Sequence, residues 1–361
     1  MHRWGVFPWW VDSFREGLTV PVRVLVFPPT GLGDFVVWLA FLRPLALHFE
    51  NIQFVIASSP VFLPLYQAAL GPATEIADAN TDEAFHLALI LNDENLIEGP
   101  FARLLLRSSQ RVGALSGRFR KRWVNHGVLV KHFGRPRHEG LRHARLLLPF
   151  GIKPPLHLSD CIPHVSLQRH EDASEDGYVV LHPYSHGHAR EWPIRQFVAL
   201  ADRLGEAGYR VVLTGSSKER DRLGIEWPDA KRSNMVQDLS GQLDMDSLLT
   251  MLAGATVVVA GSTGPLHVAG ALGVRTLGLY PARKGMDLDR WMPIGKRACG
   301  LQAESCVDKV CSKEECACMC TISAAKVADV LENWISSGAD LPETTLLPRG
   351  MRLQSAAFSP A

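Results

Sequence analysis

The sequence TVVVAGSTGPLHVAGALGVRTLGLYP, residues 256–281, carries an apolar run directly into a turn of small residues and then into a helix-forming segment. The opening valines are typical of a strand buried on both faces, and Pro265 suits the first turn of a helix, where a missing N–H costs nothing. Free amide groups and the positive end of the helix dipole would favour phosphate at this turn. Ser262 and Thr263 could add hydroxyl donors, and His267 a hydrogen bond or a charge. A plain packing corner is the alternative.

A second turn between a strand and a helix lies in VRVLVFPPTGLGDFVVWLAFLR, residues 22–43. Gly31 and Gly33 would let the backbone approach a ligand closely. Asp34 stands near the start of the following helix, where a helix N-cap worth about 1 kcal/mol is its simplest interpretation. The turn does not fit the dinucleotide-binding pattern Gly-x-Gly-x-x-Gly, because Val36 occupies the third small position.

Strand and helix patterns alternate along the chain, which predicts an α/β protein with parallel sheets built from βαβ units. One clear helix is expected over 195–208, with its apolar residues at i, i+3, i+4 and i+7. With 361 residues and 47% apolar content, the chain is long enough for two doubly wound, Rossmann-like domains with a ligand between them. The predicted parts are an aromatic extension (1–21), a first domain (22–165), a second domain (177–337) with a cysteine-rich loop (306–320), and a disordered tail (338–361).

Composition argues against several classes of function. The formal net charge is +1 and the basic residues are spread along the chain, so nucleic acid binding is not expected. No run of about 20 apolar residues is present, so a membrane-spanning helix is not expected either. The aromatic residues of 1–21 could lie at a lipid interface, although packing against protein explains them equally well. Cysteine usage without a signal-peptide pattern predicts a reducing cytosol.

Five cysteines cluster within fifteen residues: Cys306, Cys311, Cys316, Cys318 and Cys320. Thiolates at this density could hold a structural zinc or iron ion tetrahedrally. The spacings include no Cys-x-x-Cys pair, however, and a disulfide or free thiols account for the cluster as well. The sequence leaves these three alternatives open.

Taken in order, these features resemble glycosyltransferase family 9, whose best-known members are the ADP-heptose:lipopolysaccharide heptosyltransferases. The resemblance covers about residues 22–335. The motifs that carry it are Gly31-Leu32-Gly33-Asp34, Arg111-Val112-Gly113, His138-Glu139 to Gly151-Ile152, His182-Pro183 to Arg190-Glu191-Trp192-Pro193, Gly215 to Glu219, Ser262 to His267, and Cys318-Met319-x-x-Ile322. The implied fold is GT-B, two Rossmann-like domains facing a central cleft. The second domain would hold a nucleotide sugar and the first would present the acceptor.

The resemblance also implies a reaction. Asp34 falls on the family's proposed general base, which would take the proton of the acceptor hydroxyl while the diphosphate leaves. A single displacement of this kind inverts the anomeric centre through an oxocarbenium-like transition state. No metal ion or other cofactor would be required for catalysis. Gly31 and Gly33 would belong to the acceptor-side loop.

On the donor side, the resemblance assigns several residues to the nucleotide sugar. Arg190 stands where a lysine usually contacts the diphosphate, which keeps the charge and adds a bidentate fork, although a surface arginine is the alternative. Glu219 would contact sugar hydroxyls, or else be an ordinary first-turn carboxylate. Ser262 replaces an aspartate that is thought to hold the sugar in heptosyltransferases, so a related nucleotide sugar or a heptose held differently is expected. The implied donor-binding residues are Ser185, Arg190, Glu219, Ser262, Thr263, Gly264 and His267.

The sequence therefore predicts an inverting glycosyltransferase. It would move heptose or a related sugar from a nucleoside diphosphate donor, ADP-heptose or a relative of it, to lipopolysaccharide or another envelope glycan or glycolipid. The predicted location is the cytoplasm, with peripheral contact to the inner membrane as one option. A nucleotide-sugar epimerase on the same fold and a non-catalytic nucleotide-binding scaffold are the alternatives.

Overall fold

A computed structural model describes most of the chain, and it divides into two compact units, one ending at residue 165 and the other running from 166 to 360. The described residues are 22–29, 31–49, 51–91, 101–115, 124, 126–129, 137–162, 165, 167, 177–187, 189–306, 316–340 and 352–355. The aromatic extension at 1–21 lies outside them, as does Cys311. No helix in this described part combines the length and the apolar character that a bilayer crossing needs.

The first unit is built on a six-stranded parallel sheet. Its strands are β1 (Val22–Phe27), β2 (Ile52–Ile56), β3 (Glu75–Ile76), β4 (Phe85–Ile90), β5 (Ser108–Leu115) and β6 (His126–Leu129). Its α-helices are α1 (Leu32–His48), α2 (Leu63–Leu70), α3 (Ala102–Leu106) and α4 (Glu139–His143), and its 3-10 helices are Pro60–Phe62, Ala144–Phe150 and Leu158–Cys161. The strand order is β3-β2-β1-β4-β5-β6.

Helix α1 is buried along most of its length, which explains its strongly apolar sequence. Every residue from Phe35 to Leu42 is buried. The helix packs against α4, where the indole of Trp38 stacks on the imidazole of His143 with 3.9 Å between the ring centres. This packing fixes α1 against α4.

The second unit is built on a seven-stranded sheet. Its strands are β7 (Tyr178–His182), β8 (Arg210–Leu213), β9 (Val236–Asp238), β10 (Val257–Gly261), β11 (Arg275–Tyr280), β12 (Ala298–Gln302) and β13 (Arg352–Ser355), in the order β13-β12-β11-β10-β7-β8-β9. Its α-helices are α5 (Ile194–Glu206), α6 (Ser217–Glu226), α7 (Met245–Gly254), α8 (Gly264–Ala271), α9 (Leu288–Trp291) and α10 (Ala324–Ser337), and its 3-10 helices are Asp229–Lys231 and Met319–Thr321.

Strand β13 corrects one expectation. It lies within the segment 338–361, for which the sequence predicts disorder, and it pairs antiparallel with β12 from Gln302↔Arg352 to Cys299↔Ser355. The open edge of β12 supplies the backbone partners, so four residues without an apolar pattern form a strand. The prediction of a disordered tail is therefore wrong for these residues.

Both sheets have the same arrangement around their first strand. In the first unit β1 lies between β2 and β4, and in the second β7 lies between β8 and β10. In each unit the chain first adds strands on one side of the first strand. It then crosses back and adds the remaining strands on the other side, which is the strand order of a Rossmann fold. The prediction of two doubly wound domains is confirmed. In such sheets ligands bind outside the carboxyl ends of the strands, where the order reverses.

Candidate functional site

The candidate site lies in the second unit, where β7 and β10 end side by side. Ala260 of β10 pairs with His182, the last residue of β7. Two segments leave these strand ends, which we call the 183–193 loop and the 262–267 turn. A Cβ atom built on Gly261 would lie 3.7 Å from the carbonyl oxygen of Arg190, so the loop passes directly over the end of β10. The predicted donor-binding residues thus follow three neighbouring strands, β10, β7 and β8.

The 262–267 turn opens helix α8 as the sequence predicts. Thr263 is the N-cap in extended conformation, Gly264 is the first helical residue and Pro265 lies in the first turn. The Thr263 hydroxyl makes no capping bond, and its oxygen is buried without a hydrogen-bond partner in the described part of the chain. The first amide groups of a helix have no partner within the helix. This end of α8 therefore presents donors that a bound anion would satisfy. His267, one turn further on, is buried.

Arg190 is a buried cation. Only 7% of its surface is exposed, so the alternative of a surface arginine is wrong. Its Nε atom is buried without a hydrogen-bond partner, and none of the described carboxylates forms an ion pair with it. Burying an uncompensated charge is costly, and proteins normally pair such groups. A guanidinium in this state beside a helix N-terminus is suited to a phosphate group, which it can bind through two parallel hydrogen bonds.

A polar network holds the 183–193 loop from within. The carboxylate of Glu191 accepts hydrogen bonds from the Ser185 amide at 3.0 Å and from the Ser185 hydroxyl at 3.1 Å, and Arg222 Nη1 donates to its other oxygen at 2.7 Å. Ser185 also lies 3.2 Å from the Ala189 carbonyl oxygen, to which its hydroxyl can donate. Ser185 is thus engaged within the loop, and its predicted contact with phosphate stays a prediction.

Arg222 joins this loop to helix α6. Its Nε donates to Glu226 at 2.8 Å, and its guanidinium carbon lies 4.3 Å from the centre of the Tyr184 ring. The Tyr184 hydroxyl donates to the other oxygen of Glu226 at 2.9 Å. Burial raises the pKa of Tyr184, and the hydrogen bond that its hydroxyl donates to the Glu226 carboxylate raises it further. The tyrosine therefore stays a donor at all ordinary pH values.

The far end of the loop is anchored by Trp192. Its indole N–H donates to the carbonyl oxygen of Ile322 at 2.8 Å, and its ring meets Phe197 of α5 edge-on at 4.7 Å. Together with the Glu191 network, this anchor holds Arg190 between two fixed points.

Glu219 clamps the tip of the same loop. It is the third residue of α6 and forms a capping box with Ser216, whose amide donates to it at 2.8 Å. Its other oxygen accepts the amide of His186, a residue with the left-handed φ of 50°. Burial alone would raise the pKa of Glu219, but His182, the Ser216 amide and His186 outweigh it and hold that pKa below its usual value. Glu219 is thus a first-turn carboxylate, and its predicted contact with a sugar stays a prediction.

His182 lies beneath this clamp at the end of β7. Its Nδ1 is 3.0 Å from the hydroxyl oxygen of Thr214, the residue that follows β8. Burial lowers the pKa of His182. Burial therefore disfavours the charged imidazolium form, and the ring acts as a packing and hydrogen-bonding group.

Ser262 lies next to the phenol of Tyr280. Burial raises the pKa of Tyr280 well above its usual value, and the neighbouring Ser262 side chain opposes this rise. The Tyr280 hydroxyl in turn donates to the carbonyl oxygen of Trp291 at 2.7 Å. The Tyr280 ring has room because Gly278 and Gly300 carry no side chains, and a Cβ on Gly278 would lie 2.5 Å from the ring.

The predicted catalytic residue lies in the first unit. Helix α1 has Gly31 as its N-cap, so Gly33 and Asp34 are its second and third residues and the N-cap interpretation of Asp34 is wrong. The Asp34 side chain is exposed and folds back toward Gly31, where a Cβ atom would lie 2.5 Å from Asp34 Oδ2. Gly31 therefore makes room for the carboxylate. The role of Asp34 as a base is not tested by this geometry.

The described part of the cysteine-rich segment contains two buried cysteines and two partly exposed ones. Cys316 and Cys318 are buried with 3.1 Å between their sulfur atoms, and Cys320 Sγ accepts a hydrogen bond from Arg195 at 3.3 Å. Cys306 packs against the core of the second unit. No group of three or more potential metal ligands occurs among the described residues, which do not include Cys311. The structural metal therefore has no support there.

The sequence analysis does not predict a functional role for Arg222 or Tyr184. Glu191 appears there only as part of the motif that ends in Arg190-Glu191-Trp192-Pro193. These residues contact one another across 31 to 42 positions of the chain, as in the bonds Arg222 to Glu191 and Tyr184 to Glu226. One signal was present, since Arg222 and Glu226 are spaced i, i+4 on one helix.

Comparison with known proteins places the chain. Residues 153–321 match the model of glycosyltransferase family 9 (heptosyltransferase). Lipopolysaccharide heptosyltransferase 2 of Escherichia coli (strain K12) is 29% identical over 96 residues, which are 26% of this chain and 28% of that protein. Lipooligosaccharide heptosyltransferase 2 of Campylobacter jejuni (serotype O:6) is 22% identical over 326 residues, which are 86% of this chain and 98% of the relative. The first alignment thus spans little more than a quarter of the relative's length.

A solved structure extends the likeness to the whole fold. E. coli ADP-heptose lipopolysaccharide heptosyltransferase II matches with a TM-score of 0.69 at 18% identity, covering 88% of this chain and 99% of that one. The fold class is therefore GT-B, with two Rossmann-like domains, as predicted. The predicted resemblance is confirmed as well: the chain is similar to glycosyltransferase family 9 and, within it, to the heptosyltransferases.

Proposed function

We propose that the protein is an inverting glycosyltransferase that transfers heptose or a related sugar from a nucleoside diphosphate donor to lipopolysaccharide or another envelope glycan. The observation that carries this proposal is the charge of Arg190, which is buried at the end of β10 without a counter-ion among the described residues. A diphosphate bound there would supply the missing negative charge.

Two further features support a diphosphate rather than a single carboxylate. The amide groups at the start of α8 and the Thr263 hydroxyl lie at the end of the same strand, so one phosphate can meet Arg190 while the other meets the helix. The E. coli relative is named for ADP-heptose, which has this group between its adenosine and its sugar. ADP is therefore the leaving group that we infer.

The transfer itself needs one base and a stabilised leaving group. The acceptor oxygen would form a bond to the anomeric carbon while the bond from that carbon to the diphosphate oxygen breaks, and Asp34 would take the acceptor's proton. Arg190 and the 262–267 turn would bind the departing diphosphate more tightly as its negative charge grows.

The sugar specificity that we infer follows from Ser262. Its hydroxyl carries no charge and has a single proton to donate, so it offers the sugar less than an aspartate would. We therefore expect a donor that does not depend on a carboxylate at this position. A cytoplasmic location with peripheral membrane contact stays a prediction, because residues 1–21, which prompted the membrane contact, lie outside the described residues.

Calorimetric titration with ADP tests the proposal. Replacing Arg190 by alanine should weaken ADP binding about 10- to 100-fold, the range for a hydrogen-bonded charged contact. Arg195→Ala removes a nearby exposed arginine of α5 and serves as the matched control, for which unchanged affinity is expected. Equal ADP affinity in Arg190→Ala and the wild type would remove Arg190 from the site.

Transfer assays distinguish the proposed activity from the alternatives on this fold. A glycosyltransferase consumes donor and acceptor in equal amounts and releases the nucleoside diphosphate. An epimerase would convert the nucleotide sugar without an acceptor, and a scaffold would bind without turnover. Either outcome across a broad panel of donors and acceptors would refute the proposal.

A further inference from the structure

Arg190 and Glu191 are neighbours of opposite charge, yet they do not form an ion pair. Both are buried, with 7% and 5% of their surfaces exposed. Both oxygens of the Glu191 carboxylate have other donors, which are Ser185 on one side and Arg222 on the other. The carboxylate next to Arg190 in sequence is thus fully engaged elsewhere.

The partner that engages it is itself rigidly placed. Arg222 donates to Glu191 at 2.7 Å through Nη1 and to Glu226 at 2.8 Å through Nε, while its guanidinium lies over the Tyr184 ring. The Tyr184 hydroxyl closes the network by donating to Glu226 at 2.9 Å.

Without Arg222, the buried carboxylate would lose its cation. A charge buried without a partner is unfavourable and seeks the nearest opposite charge that it can reach. Glu191 follows Arg190 directly in the chain. No other described carboxylate forms an ion pair with the Arg190 guanidinium. An ion pair between the two would occupy the guanidinium that a phosphate group needs.

We propose that Arg222 is a positioning residue for the phosphate site: by binding Glu191 it keeps this carboxylate away from Arg190 and leaves the Arg190 guanidinium available to a diphosphate. This inference rests on the proposed function. Arg222 acts here through Glu191 and does not itself contact the ligand.

Calorimetry with ADP measures the effect. Arg222→Met keeps an unbranched apolar stem beside Tyr184 and removes the charge, so ADP should bind about 10- to 100-fold more weakly than to the wild type. Adding Glu191→Gln to this variant should restore affinity to within about threefold, because glutamine can still accept hydrogen bonds from Ser185 but cannot pair with Arg190 as an anion. Arg220→Ala is the matched control: this exposed arginine of the same helix lies 3.7 Å from Asp221 and should leave ADP affinity unchanged.

The double variant separates positioning from simple structural support. If Arg222 only stabilised the fold, removing a second member of the network would weaken ADP binding further, and that result would overturn the proposal. Arg222→Lys provides a second test in case Arg222→Met does not fold. It keeps a cation beside Glu191 and should bind ADP within about threefold of the wild type, whereas a loss as large as that expected of Arg222→Met would also overturn the proposal. Failure of the proposed function has a different signature, namely that the wild type does not bind ADP or that Arg190→Ala binds it normally.

Discussion

Replacing Asp34 by asparagine tests whether this residue is a base or only part of the helix start. The side chain is the third residue of α1, exposed, and folded toward Gly31. Asparagine has nearly the same shape and keeps one acceptor oxygen, but at neutral pH an amide cannot take up a proton. The substitution thus removes the chemical property in question and leaves the local geometry in place.

The expected cost in stability is small. A carboxylate in the first turn of an exposed helix end gains about 0.3–1 kcal/mol from the helix dipole, and Asp34→Asn removes this contribution. The expected cost in transfer is much larger, about 10²–10⁴-fold, which is the range assigned to a positioned general base. Donor binding should not change, because the proposed diphosphate site lies in the second unit.

The assay compares transfer rate, ADP affinity and melting temperature on one preparation of each variant. Asp246→Asn is the matched control, since Asp246 is an exposed first-turn carboxylate of α7. It should lose a similar small amount of stability and no transfer activity. Transfer at the wild-type rate in Asp34→Asn would refute the catalytic role and leave Asp34 as a residue that only stabilises the start of α1.

Two further predictions follow from the second unit. Ser262→Asp should shift preference among nucleotide sugars toward ADP-heptose without abolishing ADP binding, because the new carboxylate can accept hydrogen bonds from sugar hydroxyls. A competition assay over several donors measures this preference. Efficient turnover of ADP-heptose by the wild type would show that the serine is a neutral replacement. Cys316 and Cys318 should react with a thiol reagent only after unfolding, because both are buried. Rapid labelling of both cysteines in the folded protein would contradict this.

Local patterns predicted the parts of the site that depend on neighbouring residues. The 262–267 turn is legible in sequence because Pro265 and small residues follow a valine strand, and α8 begins at Gly264 as expected. Likewise, a helix was predicted over 195–208, and α5 spans Ile194–Glu206 with Phe197 and Leu204 fully buried. Periodicity and turn chemistry carry this information within a few residues.

Contacts between distant segments were beyond such patterns. The sequence left open whether Arg190 lies on the surface, since burial depends on how the 183–193 loop folds over β10. The engagement of Glu191 by Arg222 depends on the position of α6, which no local signal specifies. The sequence predicts Asp34 as the N-cap of α1, whereas Gly31 takes that position without a side-chain hydrogen bond and Asp34 is the third helical residue.

The pairing of Gly278 with Gly300 across β11 and β12 has a consequence for how this protein can vary. The two glycines form a shallow trough in the sheet, and the ring of Tyr280, two residues along the same strand as Gly278, occupies it. A methyl group at Gly278 would displace the ring, and with it the hydroxyl that donates to the Trp291 carbonyl oxygen. Tyr280 and the two glycines are thus interdependent: a side chain in the trough would fit only with a smaller residue at position 280, and that exchange would also change the surroundings of Ser262.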